Sequence, residues 1–268
     1  MKEIAQSLKE ARAIPADSPA FLEMGQRLVS AGQWEDFFKA YERSVQAFPD
    51  LPVSLDAFEI MGDLARTKLS WPEKALDLYR KALLLTPDSP RALDGLLAIH
   101  EANGALEPWA QTLERRAHAE HGPKAAQIFA AAANAFLKLG RRDRAVINLQ
   151  DALRVAPGQR DFLQALFDNL VALGRFALAA ETLDTLRAKC GDEVFLTCAR
   201  HFVREALDMP NHHERARRVL DVMVGIAAED EEIARLNDRL NELGTEAGWH
   251  ARIKELSQEI DSGHDIRL

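Results

Sequence analysis

Glycine recurs along this chain on one period. Gly32, Gly104, Gly140, Gly174 and Gly244 are separated by 72, 36, 34 and 70 residues. Two of these gaps are one period of about 35 residues, and two are twice that. Proline keeps the same period, since Pro49 to Pro87 is 38 residues and Pro87 to Pro157 is 70. Glycine ends a helix cheaply by entering left-handed backbone, and proline cannot continue one. A period held by both residue types predicts a stack of helix–turn–helix units.

Residues 126–157 show the unit most clearly. Phe129, Ala132, Ala133 and Phe136 fall three, four and seven apart, which is one face of a helix. Gly140 follows, then a second stripe of Ala145, Leu149 and Ala152, and Pro157 closes the unit. This order of a large residue, a small pair, an aromatic, then Gly, Ala, an apolar residue, Ala and Pro resembles the tetratricopeptide repeat. The resemblance covers about residues 18–260 as seven units. It implies an all-α fold, a right-handed superhelical solenoid of antiparallel helix pairs. Its first helices would line a concave groove that holds a peptide or helix of another protein.

The other units follow with local departures. Residues 1–17 carry Ile4, Leu8 and Ala11 on one face and are expected to form an N-terminal cap, because a solenoid end exposes an unmatched apolar surface. Trp34 and Phe38 are expected to be part of what that cap covers. Phe37 stands where a small residue is usual, which predicts a wider first interface. The second unit has no turn glycine, and Ser70-Trp71-Pro72-Glu73 reads as a capping box. In the third unit Trp109 replaces the small residue of the second helix. In the sixth, Asp208-Met209-Pro210-Asn211-His212-His213 forms a longer loop. The seventh has Ile233, Leu236, Leu240, Gly244, Ile253 and Leu256, and the polar tail 261–268 is expected to fray.

Composition narrows the function. Net charge is -8, which argues against nucleic acid, where phosphate neutralisation needs clustered Lys and Arg. No run of about 18 apolar residues is present, so no membrane span is expected. The start of the chain lacks the apolar core of a signal peptide, and Cys190 and Cys198 make neither a disulfide framework nor a zinc spacing. A cytoplasmic setting with unpaired thiols follows. No HExxH, P-loop, dinucleotide turn or serine elbow occurs. The reading is therefore a non-enzymatic protein-interaction scaffold without cofactor or metal. A basic or amphipathic cationic protein segment is the expected partner, and an exposed apolar end allows self-association.

The candidate groove consists of first-helix residues expected to face away from the core: Asp56, Glu59, Asp63 and Arg66; Arg91, Asp94 and Glu101; Gln127, Asn134 and Lys138; Asp161, Gln164 and Asp168; Glu193, Arg200 and Arg204; Glu231, Asp238 and Glu242. Eleven are acidic and five basic, a balance that would attract a cationic partner. The plainer alternative is a set of solvated helix faces on an acidic protein. One tetratricopeptide subgroup clamps a C-terminal carboxylate with a Lys and an Asn four residues apart. Here Asn134 has Ala130 in the lysine's place, so the clamp is not expected. Two alternatives remain open: a nucleic-acid-binding helical repeat, and a metal-dependent enzyme using His118 and His121 or the His212-His213-Glu214 stretch.

Overall fold

A computed structural model describes residues 15–48 and 51–244, with positions 253, 254 and 257. Residues 1–14 of the expected cap, Pro49, most of the helix expected beyond Gly244, and the tail 261–268 lie outside the described residues. Among those described there are thirteen α-helices, one short 3-10 turn and no strand.

The helices group into two compact units, residues 1–140 and 141–268. The first holds α1 (Pro19–Ser30), α2 (Trp34–Ala47), α3 (Leu55–Thr67), α4 (Pro72–Leu85), α5 (Pro90–Ala102), α6 (Leu106–His118) and α7 (Pro123–Lys138). The second holds α8 (Arg142–Val155), α9 (Arg160–Ala172), α10 (Phe176–Cys190), α11 (Asp192–Leu207), the 3-10 turn Pro210–His212, α12 (His213–Ile226) and α13 (Glu231–Leu243). Successive helices pack as antiparallel neighbours within each unit. First helices also stack on first helices, α3 on α5 in one unit, and α9 on α11 and α11 on α13 in the other.

Two devices start and stop these helices. Ser18, Ser54, Ser89 and Asp230 cap α1, α3, α5 and α13, each accepting backbone N–H groups in its side chain. Such a cap contributes about 1 kcal/mol. The turns after α1, α5, α7 and α9 use left-handed backbone at Gly32, Gly104, Gly140 and Gly174, with φ from 63° to 73°. The next residue then reaches back across the helix end, as Gln33 N does to Leu28 O and Arg175 N to Leu170 O. Gly244 differs: it ends α13 in ordinary helical backbone, at φ -68°.

The second pair corrects the expected capping box. Ser70 holds φ 54°, the left-handed conformation that glycine takes in the other turns. Trp71 is the residue that starts α4, and no side chain caps it. The serine is committed to closing α3, one position too early to cap α4. Left-handed backbone costs an L-residue roughly 1–2 kcal/mol, and glycine avoids that while adding some unfolded-state entropy. Ser70→Gly is thus expected to stabilise the first unit by about 0.5–1 kcal/mol, read as a higher urea midpoint at unchanged slope.

The cores show how large residues are accommodated. Tyr79 of α4 is fully buried, wedged between Gly62 on α3 and Gly95 on α5. Phe37 meets a glycine across the first pair. Its ring lies over Gly25 of α1, where an added Cβ would come within 2.5 Å. Trp109 does not take the small position of α6, for Ala110, one residue on, is fully buried there and Trp109 remains partly exposed. Phe38 packs on the next pair, with Trp71 edge-on at 5.3 Å and Lys74 over its ring at 5.0 Å. In the second unit Phe176 meets Phe202 edge-on at 5.4 Å. The long connection is part of that core: the His212 ring lies 4.6 Å from Phe176, and His213 Nε2 is 2.9 Å from Leu207 O.

Candidate functional site

The exposed faces of the first helices are built around ion pairs that join one helix to another. In the first unit Asp63 of α3 is the hub. Arg91 of α5 donates to its Oδ2 at 2.8 Å, and the Tyr79 hydroxyl donates to its Oδ1 at 2.6 Å. Arg66 completes the group, donating to the Tyr79 hydroxyl at 3.3 Å. Burial, with the bond to Asp63 second, pushes the Tyr79 phenol up to about 12, so it stays a donor at all ordinary pH. Tyr79 thereby fixes the orientation of a carboxylate on the outer face from inside the core.

One step along, Arg116 of α6 donates to Asp94 of α5 at 2.8 Å and to Glu120 at 2.9 Å. Its side chain is 6% exposed, so the guanidinium is spread along the seam between these elements. Burial alone would disfavour its charge, but the bonds to Asp94 and Glu120 outweigh that and raise its pKa. Lys124, Arg116 and the backbone N–H of His121 hold the Glu120 carboxyl down at about 2.

The second unit repeats the device. Arg200 of α11 pairs with Asp230, the cap of α13, at 2.5 Å, and both Arg200 and Arg204 reach Glu232. The N–H of Ile233 and then Arg200 lower the Asp230 carboxyl pKa. His201 lies 3.8 Å from both Asp168 of α9 and Glu205 of its own helix. Individual exposed pairs of this kind contribute about 0–1 kcal/mol each. Asp94 and Asp168 keep about 60% of their side-chain surface exposed, so the pairing neutralises these acids without burying them.

Among the expected groove residues, then, the structure separates three groups. Asp63, Arg66, Arg91 and Asp94 form the first unit's ladder; Asp168, Arg200 and Arg204 form the second's. Glu59 does not face outward: it is 6% exposed, and the Ser89 hydroxyl donates to its Oε1 at the start of α5. Asp56, Glu101, Asn134, Lys138 and Asp161 are exposed, while Gln164 is half-buried and accepts from Arg160 Nε at 3.2 Å. Asp56 has Ile60, 40% exposed, one helical turn along the same face.

With no family model and no curated protein matching the chain, the remaining comparison is with solved structures. YrrB, described as a TPR protein with an unusual peptide-binding site, is 16% identical over 72% of this chain and 97% of its own, with a TM-score of 0.38. PilF of Pseudomonas aeruginosa is 17% identical over 87% of this chain and 99% of its own, at 0.33. A chain of the Naa15/Naa10 complex bound to HypK-THB is 16% identical over 90% of this chain and 36% of its own, at 0.48. The helices themselves supply the deciding pattern. Ala75 and Ala82, Ala110 and Ala117, Ala145 and Ala152, and Ala179 are fully buried at the small positions of successive second helices, each behind a tight turn, and Ala216 takes the same place on α12 behind the longer connection. The fold is tetratricopeptide-like.

Within this tetratricopeptide-like frame the histidines have structural neighbours. His118 meets Phe129 edge-on at 4.9 Å, and His121 Nδ1 lies 2.8 Å from Glu120 O. No group of three or more His, Cys, Asp or Glu is placed to hold a metal among the described residues. Cys198 is buried, and burial pushes its thiol pKa up; Cys190 is half-buried. No described helix is long and apolar enough to cross a membrane. Tyr79 fits the second-helix pattern with Ala75 and Ala82, but its bond to Asp63, like the ion pairs of Arg116, is not visible in the sequence. Both sit on second helices yet reach outer-face carboxylates, and spacing along one helix carries no sign of that.

Proposed function

We propose that this chain is a cytoplasmic, non-enzymatic interaction scaffold whose first-helix face in the first unit takes a basic peptide or helix of another protein. The observation that carries the reading is the set of side chains left over once the fold has used its own. Asp56 and Ile60 on α3, and Glu101 on α5, stay exposed while Asp63 and Asp94 are occupied by Arg91 and Arg116. A face with an exposed carboxylate one turn from an exposed isoleucine, and a second carboxylate on the next first helix, favours an amphipathic segment that brings both lysine and apolar groups. Asp161 offers a comparable exposed carboxylate in the second unit.

The ladder decides which substitutions test this. Reversing Asp63 or Asp94 would break pairs that join helices, so lost binding would not report on the surface. Asp56→Lys with Glu101→Lys touches exposed positions only. Binding of a helical Lys-Leu peptide, followed by fluorescence anisotropy, is expected to weaken about tenfold in this variant. Unchanged affinity would remove the first-helix face of this unit as the binding surface.

A further inference from the structure

The opposite side of the first unit carries a groove of different chemistry. It runs between the second helices α4 and α6, with α5 as its floor, and encloses about 550 Å³. Leu83 and Leu84 come from α4, Leu96 and His100 from α5, and Pro108, Thr112 and Arg115 from α6. Each set falls at helical spacing, so each helix turns one continuous stripe into the groove. Leu83 and Leu96 are buried, whereas Leu84 is 83% exposed. Thr112 donates its hydroxyl to Pro108 O at 2.7 Å, leaving its methyl to the groove.

The rim is cationic. Arg80 and Arg115 line it, and among the described residues no carboxylate does. Arg115 is steadied by donating to Pro87 O at 3.0 Å. The neighbouring acids on the same helices have partners of their own, Asp77 with Lys81 at 2.7 Å and Glu107 with Gln111 at 3.3 Å. Asp88, in the connection before α5, and Glu114, on α6, are not among the lining residues. Burial and the nearby Arg80 both lower the His100 pKa, so near neutral pH the imidazole serves as a neutral hydrogen-bonding group beside the two arginines. The chain as a whole carries a net charge of -8. Because the screening length is about 8 Å at physiological salt, the two local arginines and not that distant total set the field inside the groove.

We infer that the groove between α4 and α6 docks an acidic amphipathic segment of a second protein, its apolar side chains seated among Leu83, Leu84 and Leu96 and its carboxylates on Arg80 and Arg115. Arginine suits this role because its planar fork can engage a carboxylate through two N–H groups at once. The exposure of Leu84 points the same way, since an isolated helix gains nothing from a leucine in water while a docked apolar partner would cover it. This surface is separate from the one assigned to a basic partner, so a single unit would hold two segments of opposite charge on its two faces.

The test uses the full chain and two labelled synthetic peptides with leucine at helical spacing, one filled out with glutamate and one with lysine. The glutamate peptide is expected to bind wild type, with affinity falling as salt rises. Arg80→Glu with Arg115→Glu should weaken it about tenfold, and Leu84→Glu, at a position too exposed to matter for folding, should weaken it comparably. Asp56→Lys with Glu101→Lys should leave it unchanged, which separates this surface from the first-helix face. No binding of the glutamate peptide, equal binding of the lysine peptide, or indifference to both groove variants would overturn the proposal. So would sedimentation showing that the groove variants instead abolish a dimer of this chain, because the occupant would then be a second copy.

Discussion

Gly95→Ala is expected to destabilise the first unit by about 3 kcal/mol, the upper part of the usual range for overpacking. The sign is what makes the result informative. In a helix interior, replacing glycine by alanine normally stabilises by about 1 kcal/mol through backbone entropy. Here the added Cβ would lie 2.2 Å from Cζ of Tyr79. Carbon atoms pack at about 3.5–4.0 Å, so ring or helix must move by more than an ångström. The ring has no room to retreat, because a Cβ at Gly62 on its other side would come within 2.7 Å. Its hydroxyl is also held by Asp63 and Arg66. Urea unfolding of Gly95→Ala, Tyr79→Leu and the double variant checks this. Most of the penalty should vanish in the Tyr79→Leu background, where the alanine has space. A raised midpoint in Gly95→Ala alone would show that the ring is not clamped.

That pair of glycines also explains what the sequence did and did not disclose. The helix–turn–helix period was legible because glycine and proline act locally: Gly32, Gly104, Gly140 and Gly174 announce a turn whatever lies across from them. The neighbour of Phe37 stayed hidden because its ring is matched by Gly25 on another helix, and nothing within α2 reports that partner. Ser70 was misread for a related reason. A serine before a proline is a good cap on chemistry alone, and only the backbone shows that it is closing the previous helix. The candidate face suffered most. Counting charges on first helices finds Asp63 and Arg91 but not that they pair, and it passes over Arg116. Arg91 and Arg116 lie 28 and 22 residues beyond Asp63 and Asp94, and Arg116 is on a second helix. Such partners sit on another helix, where the sequence shows only their charge.

Glu59 gives the sharpest consequence of that lesson. From spacing it belongs to the outer face, where a charge reversal would be harmless to folding. In the structure it is 6% exposed and sits at the N-terminus of α5, accepting a hydrogen bond from Ser89, whose hydroxyl in turn accepts from Ala92 N. A buried carboxylate is tolerable there because the helix end supplies partial positive charge and the serine supplies a donor. Lysine at 59 would place an ammonium against the same helix end, with the serine hydroxyl unable to donate to it. Glu59→Lys is expected to cost about 3–5 kcal/mol, the range for a buried charge without its partner. Glu59→Gln keeps an acceptor for Ser89 and should cost about 1 kcal/mol. Denaturant midpoints of the two variants decide the matter: a large loss for lysine with a small one for glutamine places this carboxylate in the frame of the repeat, whereas two near-neutral substitutions would return it to the surface and to the binding face.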